Sequence, residues 1–446
     1  MKHFLILIGL VFSLIGCNLP EKKSAQFYNK ELDKPEFFTA SVNNLTDVIV
    51  HDIFSPPVAA RVYVYPCVAA YQVLQTSNDD LEDLTGRLRG LTATPLPKDT
   101  ASLSINLAAV AAFNSVAKVL TFSEDKMDAF TDGFYEKLKD SGIPEKLIHH
   151  SKAYGEEVAA HILAWADKDN YKESRSFSKF TITDDKSEWK PTPPSYMEGI
   201  EPHWRTIRPM VLDSAQQFKP LPPSKFSTDK NSDFYKETMV VYDAVAKATK
   251  EQKLIASFWD CNPFVMNQTG HMMFASKKIT PGGHWMGIAN IASEKAGLDF
   301  TGTTRVATMV AIGLFDAFIS CWDEKYNSNL IRPETVINEY IDEEWVPLLQ
   351  TPPFPEHTSG HSVVSTASAT ILTALIGNPF AYVDDVEVKY GLPSRKFESF
   401  LQASQEAAIS RLYGGIHYMP AITEGVKQGE QVGNLIVDRI VNKKVQ

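Results

Sequence analysis

The chain of 446 residues is 44% hydrophobic and 22% charged, the balance of a globular protein with a sizeable core and room for two subdomains, which excludes disorder as the default. A formal net charge of −10 and a pI of about 5.6 provide no basic face for nucleic acid, so no nucleic-acid partner is expected. Any cluster of cations must be local.

The chain starts MKHFLILIGLVFSLIGC, with Lys2, an apolar run from Phe4 to Leu14 and small residues before Cys17. This reads as an export signal too short for a stable membrane span. Leu14-Ile15-Gly16-Cys17 resembles the bacterial lipobox, which implies cleavage before Cys17, a lipid on its thiol and anchoring at a cell-envelope membrane, facing periplasm or surface. Cys67, Cys261 and Cys321 show neither paired nor metal-type spacing and read as buried, inert thiols. Residues 18 to about 40 are polar and of mixed charge, as a tether would be.

From 41 to 230 an N-terminal helical region is expected: PPVAARVYVYPCVAAYQVL, TASLSINLAAVAAFNSVAKVL and PEKLIHHSKAYGEEVAAHILAWA carry apolar residues at helical spacing. Between about Asp167 and Pro223 the period fails, and proline and tryptophan mark a long ordered loop or subdomain boundary. The C-terminal region, 231–446, has candidate helices at 233–259, 284–297, 303–323, 334–349, 361–376, 396–413 and 420–441. No strand-hairpin signal is seen, and no apolar run of about 18 residues follows the signal. The expected fold class is all-α, two packed helical bundles with the chemistry in the C-terminal one.

Three segments there place cations, histidines and glycines where a plain bundle would not. In Trp322-Asp-Glu-Lys325 through Arg332-Pro333, a helix is expected to end near Trp322 and the next to start at Pro333, so Lys325 and Arg332 converge across one loop. Alone, these two would read as solvated cations. In Pro352-Pro353-Phe354-Pro355-Glu356-His357-Thr358-Ser359-Gly360-His361 a helix begins near Ser359, and its free N–H groups, the Ser359 hydroxyl and the bare Gly360 form an oxyanion pocket edged by His361. Simple capping by Thr358 and Ser359 around a structural His361 is the other reading. In KFESFLQASQEAAISRLYGGIH, Phe397, Leu401, Ser404, Ala408 and Arg411 share a stripe, so Arg411 points inward and needs an anion. Gly414-Gly415 then frees the chain to aim His417, which could equally be a satisfied core histidine. His357 and His361 as a zinc pair fit poorly, because the converging cations would repel a dication.

Together Lys325 with Arg332-Pro333, Ser359-Gly360-His361 and Ser410-Arg411 with Gly415 and His417 resemble the signature shared by type 2 phosphatidic acid phosphatases and vanadium-dependent haloperoxidases. Trp322, Pro353-Phe354-Pro355 and the additional helical residues tilt this toward the haloperoxidases. TPPFPEHTSGHSVVS and SRLYGGIHY resemble the bacterial, flavobacterial-type iodoperoxidases in particular. The resemblance implies vanadate as cofactor, with His417 as the vanadium ligand and Lys325, Arg332, Ser359, Arg411 and the Gly360 amide on the oxyanion. It also implies His361 as acid–base group, with Lys325 polarising the peroxide. Hydrogen peroxide and a halide, iodide or bromide first, would give hypohalous acid.

The alternative within the superfamily is a phosphohistidine-type acid phosphatase, with His417 as nucleophile. It is weakened because the Asp often found four residues after that histidine is Ala421 here, although Glu424 or a carbonyl could substitute. A surface binding lipoprotein without turnover is a third reading, disfavoured because a pure binder does not need His361. Phe354 stands where bromoperoxidases often carry a histidine, and with Trp322 would line the pocket. Asp260 is a candidate partner for a site cation, or else a surface residue. His271 and His284 read as packing residues or entrance lining. A homo-oligomer is left open.

Overall fold

The computed structural model describes Tyr28 and residues 32–442, apart from residues 101, 270, 271 and 276. The signal, Cys17 and His271 therefore lie outside the described residues. The N-terminal half contains α1 (Pro35–Asp52), α2 (Pro56–Gln75), α3 (Ile105–Leu120), α4 (Glu124–Asp140) and α5 (Glu145–Ala166). Proline opens α1 and α2 at positions where a missing N–H costs nothing, and Ser104 caps α3 by accepting from the Leu107 amide. Gly155 lets α5 lie against α3: an added Cβ would stand 2.4 Å from the Ala108 carbonyl oxygen. The expected tether to residue 40 is corrected by α1. Phe38 is fully buried, edge-on to Phe113 and Phe300, so apolar contact draws the segment from Pro35 onward into the core.

The C-terminal half contains α6 (Asp233–Ala246), α7 (Lys250–Phe258), α8 (Pro281–Lys295), α9 (Phe300–Ser328), α10 (Pro333–Tyr340), α11 (Gly360–Ile376), α12 (Phe400–Tyr413) and α13 (Met419–Ile436). Several expected boundaries move for local reasons. The helix expected over 233–259 is two, because Thr249 and Gln252 form a capping box that starts α7 afresh. The helix expected to 349 ends at Tyr340, and an irregular, proline-rich stretch leads to Ser359. The helix expected from 396 begins at Phe400, because Ser399 caps it through the Gln402 amide. Two short antiparallel pairs also occur, β1 (Met266–Thr269) with β2 (Met272–Ala275) and β3 (Tyr382–Asp384) with β4 (Arg395–Phe397). Each is too short to leave an alternating pattern, so Phe397 belongs to a strand and not to the Arg411 helix.

Helix α9 is the axis of the molecule and packs on α1 and α2 from one half and on α8, α11 and α13 from the other. Among the described residues it is the one helix long and apolar enough to cross a membrane, and its apolar window is wholly buried. No unbroken apolar run of 18 residues occurs in it, but a helix packed on both sides carries apolar residues all round, and its average hydropathy is correspondingly high. Its single central charge, Asp316, accepts the amides of Met210, Val211 and Leu212 at 2.7, 2.7 and 2.9 Å. Burial still pushes that carboxyl up to about 6.

Those amides belong to the aperiodic stretch after α5, which is an ordered strap. The Ile200 carbonyl accepts from Trp322 Nε1 and Tyr326 Oη, and the Ile200 amide donates to Pro353. Glu188 bridges Leu330, the Trp189 amide donates to Asn329, and Ile331 donates to Ser187. The strap thus fixes the segment that carries Arg332.

Helix α13 presents Gly425, Gly429 and Gly433 to α11, and a Cβ on Gly429 would stand 2.2 Å from the Val363 carbonyl oxygen. Gly429→Ala is expected to force the helices apart and destabilise the fold by about 1–3 kcal/mol, read as a lowered Tm in calorimetry. An unchanged Tm would show that the close approach is not required.

Candidate active site

Lys325 stands in the last turn of α9, not beyond its end as expected, because the helix continues to Ser328 and stops where Asn329 takes a left-handed conformation. Fully buried, its Nζ donates to the carbonyls of Pro355 and Glu356, both at 3.0 Å. Arg332 is the N-cap of α10; its Nε donates to the Phe354 carbonyl and its Nη1 to that of Ile416, each at 2.9 Å. Arg411 projects inward from α12 and donates from Nη2 to the Trp259 carbonyl at 2.6 Å and from Nε to Ser410 Oγ. Backbone carbonyls thus take the place of water around three buried cations.

Two histidines complete the cluster. His417 follows Gly415, whose φ of +79° turns the chain after α12. Its Nδ1 lies 2.8 Å from Glu356 Oε1, which also accepts the Tyr418 amide at 2.9 Å. Burial first, then Arg332, Lys325 and Arg411, holds the His417 pKa well below its ordinary value. A neutral ring with its proton on Nδ1, donated to Glu356, fits these partners and leaves Nε2 to accept from Arg332 Nη1 at 3.2 Å. His361 occupies the first turn of α11, where Ser359 is the N-cap and accepts the Ser362 amide. Burial and Arg411 hold its pKa well below normal; the Trp259 backbone engages the ring, and Nε2 has no partner.

Charge is the outstanding feature. Burial pushes Lys325 down to about 7 and Arg332 down to about 10, and lowers Arg411 as well, while burial pushes Glu356 up to about 7. One carboxylate cannot balance three cations. Asp260, itself buried, is ion-paired with Lys278 and lends a favourable field to Arg411. Arg332 Nη2 is buried without a partner.

A small cavity is lined by Gly360, His361, Arg411 and His417 together with the apolar rings of Phe318, Trp322 and Phe354. A Cβ on Gly360 would meet only Trp322 Cζ3 at 3.6 Å, so the bare glycine leaves space that the protein itself does not fill. The Trp322 and Phe354 rings are 4.9 Å apart. Lys325 Nζ lies 5.0 Å and the Arg332 guanidinium 5.1 Å from the Phe354 centroid.

The structure therefore brings Lys325, Arg332, Ser359, Gly360, His361, Arg411 and His417 to one place. It also corrects one reading. Glu424 does not reach His417; it accepts the Leu221 amide and pairs with Lys427. The histidine partner is Glu356, flagged in the sequence only as an acidic residue inside an apolar, proline-rich run, so Ala421 carries no weight against a histidine nucleophile. His357 donates from Nε2 to the Leu221 carbonyl at 3.0 Å and is no zinc partner for His361. His284 is fully buried and stacked on Trp259, and so is not part of the entrance.

An all-helical fold enclosing an oxyanion cavity defines the class, and residues 305–444 match the family model described as the VCPO second helical-bundle domain. The solved structure of "the first bacterial vanadium dependant iodoperoxidase" is 53% identical over 91% of this chain and 96% of that one, with a TM-score of 0.87. The chain belongs to the vanadium-dependent haloperoxidases. A holo-type bacterial vanadium-dependent chloroperoxidase is similar in fold at 16% identity, with a TM-score of 0.69 over 92% of this chain and 98% of that one. Its apo-type counterpart gives 14%, 0.64, 86% and 94%. No curated protein matches.

The residues fit vanadate: three cations short of an anion, an unpartnered guanidinium nitrogen, a bare glycine and a histidine lone pair aimed inward. Because Lys325 loses and Glu356 gains charge as pH rises through about 7, affinity for an oxyanion of fixed charge should fall above that pH. Titration calorimetry with molybdate is expected to show proton uptake and up to about tenfold weaker binding per pH unit for one proton. A pH-independent Kd would contradict this charge assignment.

Proposed function

We propose that the chain oxidises iodide with hydrogen peroxide: iodide, peroxide and a proton give hypoiodous acid and water. The observation that carries the reading is the carbonyl-held cation cluster around His417, in a chain 53% identical to an iodoperoxidase. When bound, vanadate supplies Lewis-acid activation of the peroxide at constant oxidation state. Lys325, Arg332, Arg411, Ser359 and the Gly360 amide would hold its oxygens, and His417 Nε2 its metal. Glu356 keeps the His417 proton on Nδ1 and so keeps Nε2 free to bind. His361 is neutral at rest with Nε2 open, the state in which it can take a proton from hydrogen peroxide and later return one to the departing oxygen. Asp260 would steady Arg411. Phe318, Trp322 and Phe354 offer an apolar wall, and Trp322 Nε1 is already committed to Ile200, which suits a large, weakly hydrated halide better than a small one.

The lipobox at Cys17 supports attachment to a cell-envelope membrane, which would place the reaction outside the cytoplasm. Radiolabelled palmitate incorporation, lost in Cys17→Ala, checks that reading.

With vanadate restored to desalted enzyme, peroxide-dependent triiodide formation is expected to exceed bromide oxidation and to vanish in His417→Ala. His361→Ala is expected to lose about 10²–10⁴ in turnover while retaining vanadium. Glu356→Gln should weaken vanadate binding about 10–100-fold. Phosphate-ester turnover without halide oxidation by the vanadium-loaded enzyme would overturn the reading.

A further inference from the structure

Behind the cavity lies a second group of buried side chains that the halide chemistry does not use. His284, on α8, is fully buried, with Nε2 2.8 Å from Asp384 Oδ2. Its Nδ1 lies 3.2 Å from Glu387 Oε1 and 3.5 Å from Cys261 Sγ, and Cys261 Sγ is 3.6 Å from the same Glu387 oxygen. These three ligand-type atoms face one another, all buried. Among the described residues, no lysine or arginine pairs with Asp384 or Glu387.

From these contacts we propose that Cys261, His284 and Glu387 bind a divalent transition metal, zinc foremost, with Asp384 orienting the imidazole. Tetrahedral zinc bonds of about 2.0–2.3 Å place neighbouring nitrogen, oxygen and sulfur ligands about 3.3–3.6 Å apart, the spacing seen here. On metal binding His284 would keep its Nε2 proton toward Asp384 and give up the one on Nδ1, turning that lone pair toward the Glu387 carboxylate and the Cys261 sulfur. The Cys261 thiol, which donates to Glu387 in the metal-free site, would release its proton to solvent as the thiolate binds, so that the cation takes the place of the protons held among these donors. Carboxylate–histidine–metal alignment of this kind fixes the tautomer and raises ligand basicity. A tetrahedral ion needs a fourth ligand, and water or another small ligand would supply it. Cys261 lines the wall of the active-site cavity, which gives the ion a route in.

The site is separate from the vanadate pocket but leans on it. The Trp259 ring stacks on His284 with centroids 4.6 Å apart and planes at 18°, and the Trp259 carbonyl holds Arg411 Nη2. A metal at Cys261 would brace that carbonyl from behind.

The test uses the full chain, stripped with chelator and exposed to zinc or cobalt(II) alone. One equivalent of zinc is expected to survive gel filtration, and cobalt to give a thiolate charge-transfer band with the intense visible bands of a tetrahedral ion. Cys261→Ala and Glu387→Gln should lose at least about tenfold in zinc affinity, and Asp384→Asn about 10–100-fold. His417→Ala should keep the cobalt spectrum, which separates this site from the vanadate pocket. If Cys261→Ala does not fold, the wild-type spectrum decides alone. Absence of the thiolate band in the wild type, or cobalt binding unchanged in Cys261→Ala, overturns the proposal and leaves a protonated His284 between two carboxylates.

Discussion

The constraint on which the rest depends is the burial of three cations with one carboxylate among them. Leaving a charge unpaired in the interior costs several kcal/mol, so a fold that buries Lys325, Arg332 and Arg411 together must supply other oxygens. It does so with backbone: carbonyls of Phe354, Pro355, Glu356, Ile416 and Trp259 take the donors. Regular helices have no spare carbonyls at mid-length, which gives a physical reason for the irregular run from 341 to 359 and for the stop at the end of α7. The carbonyls hold the cations in place without neutralising them. What remains is a preorganised positive cavity that a tetrahedral or trigonal-bipyramidal oxyanion completes.

That arrangement in turn dictates the surrounding architecture. Helix α9 must run past Trp322 to carry Lys325 to the carbonyls of Pro355 and Glu356, and both helical halves pack on it, burying residues 306–325 throughout. The aperiodic strap ties down its middle through Asp316 and fixes the segment leading to Arg332. The glycines of α13 let α11 approach closely, which sets the position of the Ser359–His361 turn: the Ser359 carbonyl oxygen would be 3.0 Å from a Cβ on Gly425. A small shift in any of these elements would move one oxyanion donor relative to the others, and such sites tolerate little displacement.

Much of this was legible in the residues. Arg332-Pro333 and Ser359-Gly360 announce helix starts by capping chemistry, and Gly414-Gly415 announces the turn that aims His417. Those signals are local, so they survive in a linear reading. Glu356 was missed as the partner of His417 because their meeting depends on the path of a loop between α10 and α11. Trp259 was not legible as a site residue, because what it contributes is a carbonyl, which no side-chain pattern reveals. The Cys261, His284, Asp384 and Glu387 group is drawn from three separate stretches of the chain and has no familiar spacing to detect. Helix α9 outran its expected end because Lys325, Asn327 and Ser328 look like loop residues until burial pays the cost of one more turn.

The central claim is that the cluster holds vanadate through one histidine nitrogen, with every other contact made to oxygen. X-ray absorption at the vanadium edge of the loaded enzyme tests it most directly. A shell of oxygens with a single nitrogen, that nitrogen lost in His417→Ala, is the predicted result. An all-oxygen shell in the wild type, or one containing several nitrogens, would contradict the account.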